Sequence, residues 1–438
     1  MKTARTLAAA LLPVLFAATG AFAQALPEDP MKLDLHGAGW VQFGRVERSQ
    51  VGVDLSNNYN KNWMQSGGAQ LGVTAKFDES WEGGLALGVV EVHLPRGARS
   101  DAGLWFPFWV PYVGEARVTY TRTGESTKLR ITAGNFGYGY NPDAKNLGMY
   151  LTRGYLYPGT LESGFGGIFG VLASVEEGGF RNDLILKSED QKPLYDGSII
   201  DAASYRVTEG FELGAGVNFY RVFRHNSNLT SPGQGCGGLS YGTCSYVDYS
   251  DTAGGNPPDT VTGSLSGTKL MARFSLDPKL LLGFSSVGGL AFGKADLKLY
   301  GETALLGTQD YPIFYDDMAR RMPVMMGFNF PAFGLLDYLS VETEYYASRN
   351  SSDTRGAAFG GGWVPWQSDT DLEDYNDRDN WKWSVNAART LFGSMQLSGQ
   401  VANDHLRLGG THDIPWIGRE ALRTPKDWYW TCKLAYFF

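Results

Sequence analysis

Long apolar runs, charged residues and cysteines are all scarce in this chain of 438 residues. Beyond residue 23, no eighteen apolar residues run together, which excludes membrane-spanning helices. Charged residues make up 19% of the chain, with 38 basic against 46 acidic residues, and this acidic balance argues against nucleic acid as a partner. The sequence also lacks a phosphate-binding glycine loop, clustered zinc ligands, a CxxCH haem site and a serine in a nucleophile motif. It therefore predicts no enzyme, no cofactor and no metal centre.

The first 23 residues differ in character from the rest. Lys2 and Arg5 precede an apolar stretch over residues 7–18, and the segment ends on the small-residue pattern Ala21-Phe22-Ala23. This pattern is typical of a secretory signal peptide. An uncleaved anchor is the alternative, but the apolar stretch is short for a bilayer span. We therefore predict a signal peptide over residues 1–23 and a mature chain, 24–438, that functions outside the cytoplasm.

Segments with period-two alternation recur through the mature chain. The last one, DWYWTCKLAYFF at 427–438, places Trp428, Trp430, Leu434, Tyr436 and Phe438 on one phase. Period two with one apolar face predicts strands. Similar segments cover 33–44, 68–77, 115–121, 128–134, 211–220, 268–276, 294–306, 322–330, 338–348, 382–390 and 394–402, with weaker ones at 83–94, 166–177, 180–188 and 198–208.

These segments total about sixteen, an even number of the kind that bacterial membrane barrels show; fourteen or eighteen are alternatives. Short connections such as DESWE and TGEST alternate with long ones at 48–66, 95–111, 136–165, 226–267, 306–321, 350–380 and 406–426. Such alternation is typical of an antiparallel up-and-down β-barrel that crosses a membrane. The segment 277–289 is too long for a connection on the short side. The prediction is an all-β transmembrane barrel over 24–438.

A soluble all-β protein would show the same alternation. Large aromatic residues, however, crowd the predicted strand ends, as at Trp63, Trp81, Trp109, Trp381 and Trp428. This placement favours aromatic girdles at two membrane interfaces. The 57 glycines and the 13% aromatic share are also typical of repeated strands with a lipid-facing surface.

A signal peptide, alternating strands and a closing strand that ends in Phe resemble Gram-negative outer-membrane β-barrel proteins, porins in particular. The resemblance implies localisation in the bacterial outer membrane, with its lipid as a partner. It also implies that the barrel-assembly machinery reads the terminal strand, which assigns the assembly signal to Trp430, Leu434, Tyr436 and Phe438. Cys432 inside this signal departs from the family's pattern.

The connection 136–165 is the candidate constriction loop. After Phe136 at its first position, it combines six more aromatic residues with four charged ones, and aromatic residues at that density favour burial. By similarity to porins, the loop is expected to fold into the pore, with Asp143 and Glu162 facing Arg117 and Arg130 on the wall and a transverse field between them. An external loop packed on its neighbours is the alternative. The predicted constriction residues are Asp143, Lys145, Tyr150, Arg153, Tyr155 and Glu162, and the predicted pore-wall residues are Arg117, Arg130, Lys298, Glu302, Glu342 and Glu344.

Three smaller features carry weaker hypotheses. Cys236 and Cys244 flank a Gly-rich turn, which predicts a local disulfide in a secreted chain. The acidic stretch 369–380 is interpreted as a solvated loop, with calcium bridging as the alternative. Asn403 and His405 in the NDH stretch 403–405 are similar to the Asn and His of a barrel phospholipase, but we interpret Asp404 and His405 as a satisfied surface pair.

The function expected from the sequence is passive diffusion of small hydrophilic solutes through an outer-membrane channel. One alternative is a substrate-selective transporter of the same architecture. Another is a non-conducting barrel that serves as an adhesin or as a sheath for a partner protein. Solute identity, ion selectivity and formation of a homo-oligomer are left open by the sequence.

Overall fold

A computed structural model describes residues 31–49, 60–92, 108–152, 167–188, 196–223, 243–248, 259–264, 267–308, 318–346, 380–411, 414–420, 422 and 424–438. Sixteen of its strands form one closed antiparallel barrel, in which each strand pairs with its neighbours in chain order. The strands are β1 Lys32–Arg48, β2 Trp63–Lys76, β3 Trp81–Val92, β4 Phe108–Thr123, β5 Thr127–Phe136, β6 Ile168–Glu177, β7 Phe180–Ser188, β8 Gly197–Thr208, β9 Phe211–Phe223, β10 Gly267–Leu276, β11 Leu299–Leu305, β12 Val324–Asn329, β13 Tyr338–Tyr345, β14 Trp381–Leu391, β15 Met395–Asn403 and β16 Trp428–Phe437.

The first and last strands close the barrel. β16 pairs with β15 on one side and with β1 on the other, where Val41 lies opposite Leu434. Beyond the strand end, Gly37 and Phe438 exchange both backbone hydrogen bonds, at 2.9 and 3.1 Å. Closure leaves no open sheet edge, so the backbone groups of the terminal strand have partners on both sides.

The period-two alternation of the sequence corresponds to side chains that point alternately into the barrel and out of it. On β14 the side chains of Lys382, Ser384 and Asn386 are buried, whereas Trp381 is exposed. β1 shows the outward set of side chains: Leu33, Leu35, Val41 and Phe43 are exposed on the exterior of the barrel. Because cross-strand partners point to the same face, the register carries this assignment around the whole barrel.

The sixteen predicted strands and the closed all-β barrel are confirmed. Some boundaries differ from the predictions. β2 and β4 begin earlier, at Trp63 and Phe108, because Gly and Pro residues within them weaken the alternation without ending the pairing. β11 is shorter than 294–306 and begins at Leu299, because residues 294–297 form a turn.

The long connections contain structure of their own. The hairpin Thr243–Asp248 with Asp259–Ser264 lies within 226–267, and Arg407–Thr411 pairs with Ile414–Glu420 within 406–426. The oversized segment 277–289 begins with helix α1, Pro278–Leu282, which Asp277 caps at its N-terminus and Gly283 ends in a left-handed conformation. Among the described residues, no helix has both the length and the apolar character to cross a bilayer.

Candidate functional site

Three glutamates form an acidic patch on the inner wall. Glu302 lies on β11, and Glu342 and Glu344 lie on β13; between these strands, Met325 of β12 is paired with both Glu302 and Glu344. The three carboxylates are 3%, 0% and 0% exposed. Buried carboxylates are costly unless donors surround them, so the identity of their donors defines the site.

The donors to Glu302 come from residues 137–152, here called the inner loop, which follows β5. The Tyr140 hydroxyl and the Asn141 side-chain amide donate to the two Glu302 oxygens, the amide at 2.9 Å. The backbone N–H groups of Met149 and Tyr150 donate to the same carboxylate at 3.1 and 2.8 Å. Both ends of the described loop are therefore fixed to one wall residue.

Glu342 binds the middle of the inner loop. It accepts hydrogen bonds from three consecutive backbone N–H groups, those of Lys145 at 2.5 Å, Asn146 at 2.8 Å and Leu147 at 2.9 Å. The Tyr300 hydroxyl of β11 is its fourth donor, at 2.9 Å. Successive N–H groups that converge on one anion form a compact anion site. Hydrogen bonds to an ionised acceptor contribute about 1.5–3 kcal/mol each.

Glu344 and Asp404 extend this network around the wall. Glu344 accepts from the Tyr150 hydroxyl at 2.7 Å and contacts the His405 ring at 2.8 Å. Asp404 accepts from the Asn146 side chain at 2.6 Å, as well as from Gln400 and Tyr429. The interpretation of Asp404 and His405 as a surface pair is wrong, since Asp404 is 6% exposed and each side chain bonds into the lumen network.

Asp143 on the inner loop binds lysine, but not the basic residues that the sequence suggested. Its carboxylate lies 2.9 Å from Lys298 Nζ and accepts from Ser275 Oγ at 2.6 Å. Burial alone would raise the pKa of Asp143, but the hydrogen bonds from Ser275 and Lys298 lower it below its ordinary value. Asp143 is therefore ionised at neutral pH and pairs with Lys298.

The expected contact of Asp143 with Arg117 or Arg130 is wrong because these arginines lie on β4 and β5, whereas the loop crosses to β10–β13. Arg117 instead forms ion pairs with Glu82 at 2.7 Å and Glu115 at 2.5 Å. The inner loop therefore follows β5 in the chain, but its polar contacts are with the wall around β11 and β13.

Apolar side chains of the inner loop also pack on the wall. Leu147, Tyr150 and Leu151 are 2%, 0% and 0% exposed and belong to one cluster with wall residues that include Ile185, Ile200 and Met271. Leu151 occupies the space beside Gly216, where a Cβ would lie 2.5 Å from its Cδ2 atom. The loop therefore combines hydrophobic burial with carboxylate anchoring.

The structure brings together Asp143, Lys145, Tyr150, Lys298, Glu302, Glu342 and Glu344 among the residues predicted for the constriction and the wall. Lys145 lies over the Tyr338 ring, 5.2 Å from its centroid, and burial lowers its pKa against the opposing effect of Asp143 and Glu342. Arg153, Tyr155, Glu162 and Cys236 lie outside the described residues, as do residues 369–379 of the acidic stretch, so the predicted disulfide with Cys244 stays a prediction. Among the described residues, no group of three or more His, Cys, Asp or Glu side chains is arranged to hold a metal ion.

Sequence reasoning missed several members of the network, among them Asn141 and Tyr300. Tyr300 stands two positions before Glu302 on β11 and therefore shares its inward phase. The period-two alternation of this strand therefore carries a signal for Tyr300 as well as for the charged residues. For Asn141 the sequence carries no comparable signal.

Gly148 should be a sensitive position of the inner loop. Its φ is +86°, and a Cβ there would lie 2.6 Å from the Met325 methyl group. We expect Gly148→Ala to destabilise the docked loop by about 1–3 kcal/mol, because alanine is strained in this conformation. Faster proteolysis of the loop in the folded barrel is the measurement. Gly139→Ala is the matched control, since its Cβ would meet only Met149 Cε at 3.6 Å; equal proteolysis of both variants would contradict the assignment.

The fold and the site define a class of protein: a closed sixteen-stranded up-and-down β-barrel with one connecting loop bound against its inner wall. No protein-family model matches the chain, and no curated protein matches it. Among solved structures, the chain is similar to mutant forms of the porin of Rhodopseudomonas blastica. One is 10% identical with a TM-score of 0.44, and a triple mutant is 9% identical with a TM-score of 0.45. Both comparisons cover 93% of this chain and 100% of the other. The predicted all-β, up-and-down barrel is confirmed by the strand order of the chain itself.

Proposed function

We propose that this chain is a porin: a passive diffusion channel for small hydrophilic solutes in the bacterial outer membrane, delivered there by a cleaved signal peptide over residues 1–23. The proposal joins three features of the molecule. These are a closed barrel, an apolar exterior and a polar interior that one loop partly fills.

The exterior supports a lipid environment. Leu35, Phe43 and Leu71 are 67%, 51% and 57% exposed, and outward positions on most strands carry similar residues. Soluble monomers rarely expose a continuous apolar surface of this extent, whereas a membrane barrel needs one. Exposed aromatic side chains lie at both rims of the barrel. Trp63 and Trp381 lie at the rim that carries the long connections, and Trp81 and Tyr436 lie at the opposite rim. This arrangement fits the two interfaces of a bilayer.

The interior supports passage of solutes. A barrel of this strand number is wide enough for an aqueous channel unless something folds into it. The observation that carries the proposal is the inner loop, which binds the β10–β13 wall through Glu302 and Glu342 and lies against one side of the lumen. We infer that the loop narrows the cross-section of the lumen, and a narrowed channel sets a size limit for diffusing solutes.

Reconstitution in planar bilayers tests the proposal. We expect stepwise increases in ion conductance, and we expect uncharged solutes to enter liposomes at rates that fall with solute size. Protein unfolded by heat and added in the same detergent is the control. A barrel that serves only as an adhesin or a sheath gives no steps, so folded and inserted protein without conductance would refute the channel.

A further inference from the structure

The inner wall has two unlike halves. On the half bound by the inner loop, Lys269, Glu302, Glu342 and Glu344 are 3% exposed or less. The opposite part of the wall, on β15, β16, β1, β2 and β4, includes inward side chains that keep part of their surface exposed. We call these partly exposed side chains the open wall and define it by Trp40, Gln42, Gln70, Tyr112 and Gln396. Neutral amides and aromatic rings prevail along its middle, so its chemistry differs from that of the acidic patch.

Aromatic rings of the open wall rest on glycines of the adjacent strand. A Cβ at Gly68 would lie 2.2 Å from Cζ2 of Trp40, and a Cβ at Gly88 would lie 2.5 Å from Cζ of Tyr112. The His36 ring has the same relation to Gly72, at 2.4 Å. Each ring thus fills the space that the side chain of any residue larger than glycine would need on the neighbouring strand. The rings therefore lie along the wall and do not reach across the lumen.

Polar groups stand beside these rings. The Tyr112 hydroxyl donates to Gln70 Oε1 at 3.1 Å, which fixes the ring and the amide relative to each other. Lys433 Nζ lies 5.4 Å from the centroid of the Trp40 ring and adds donors next to it. His36 and Trp40 are four residues apart on one strand, so their rings are spaced by roughly 13 Å along it. Rings and hydrogen-bonding groups therefore alternate over a length larger than one small solute.

We propose that the open wall is a binding track for saccharides, meaning cyclic polyols with one apolar C–H face per ring. This inference rests on the proposed channel function and specifies the class of solute. Ring faces provide apolar contact area of defined geometry, and amides both donate to and accept from hydroxyl groups. Apolar and aromatic surface with a few placed polar groups is the usual composition of small-molecule sites. Because side-chain amides are uncharged, they match a neutral solute better than an ionic one.

Current block by sugars tests the track. Glucose oligomers of two to six units are added to single reconstituted channels, and polyethylene glycol of equal hydrodynamic size serves as the polymer without sugar rings. We expect the oligomers to interrupt the current at lower concentrations than the glycol. Trp40→Ala should raise the half-blocking concentration at least tenfold, and Tyr112→Phe, which keeps the ring, should have a smaller effect. Trp81→Ala, an exterior ring at the rim, is the control that should leave the block unchanged.

The outcomes separate the two claims. Conducting channels that sugars and glycol block equally, or a Trp40→Ala channel blocked like the wild type, would overturn the saccharide track and leave the channel intact. Absence of all conductance would refute the proposed function instead. In that case calorimetric titration of the folded barrel with the same oligomers tests saccharide binding separately. Binding that is lost in Trp40→Ala would support the saccharide track, and absence of binding to the wild type would refute it.

Discussion

Replacing Glu302 and Glu342 together by alanine is expected to release the inner loop and raise single-channel conductance. The two carboxylates accept from five backbone N–H groups of the loop, those of Lys145, Asn146, Leu147, Met149 and Tyr150. Each donor left unsatisfied costs about 1–3 kcal/mol. The free energy lost by the docked loop is therefore larger than the stabilisation that burial of Leu147 and Leu151 provides. Water can satisfy these donors only where the loop leaves the wall. We expect conductance to rise by about twofold, since the emptied lumen of such a barrel is an aqueous channel.

The matched control is Glu82→Gln on β3. Glu82 also faces the lumen in an ion pair, 2.7 Å from Arg117, but it does not contact the inner loop. The control variant should keep the conductance of the wild type within a small margin and the same protease resistance of residues 137–152. A double alanine variant with normal conductance and a protected loop would show that carboxylate anchoring does not hold the loop.

The second large effect is expected at the seam that closes the barrel. Gly44 of β1 pairs with Thr431 of β16, and a Cβ there would lie 2.2 Å from the carbonyl oxygen of Trp430. Backbone atoms of a paired strand move only if the pairing opens. We therefore expect Gly44→Val to destabilise the barrel by about 3 kcal/mol or more. The measurements are the folded fraction from heat-modifiable electrophoretic mobility and the urea midpoint of unfolding.

Gly39→Val on the same strand is the control for this prediction. A Cβ at Gly39 has only the Gly68 carbonyl oxygen within reach, at 4.0 Å, and valine there would face outward. Its urea midpoint should match the wild type or exceed it. If both variants unfolded at the same midpoint, close approach at the seam would not limit barrel closure.

Much of the architecture was predictable because it depends on local patterns. Period-two alternation identified all sixteen strands, including the short β11 and β12, and the terminal strand was recognisable from Trp430, Leu434 and Tyr436. The same phase placed Glu302, Glu342 and Glu344 on the inner wall, since one register assigns every second residue to one face. Boundaries were less accurate where Gly and Pro interrupt the pattern, as at the start of β4.

The site was predictable only in part. Aromatic density marked the inner loop, and Asp143, Lys145 and Tyr150 are members of its bound network. Their partners were not predictable, because Asp143 meets Lys298, which is 155 residues away, and Glu342 meets backbone N–H groups that carry no sequence signature. Arg117 was a plausible partner by charge, yet Glu82 and Glu115 neutralise it on its own side of the barrel.

The sequence by itself determined the all-β class, the inward and outward phases and the apolar exterior of this protein, since each follows from side-chain period along a single strand. It favoured sixteen strands, and the closed barrel fixed that number. Only the tertiary structure decided which wall receives the inner loop and which wall keeps its amides and rings exposed. Barrel closure brings strands together that lie far apart in the chain, so a buried carboxylate takes whichever donors the fold places beside it. Desolvation of Glu302 and Glu342 makes that choice of donors energetically decisive.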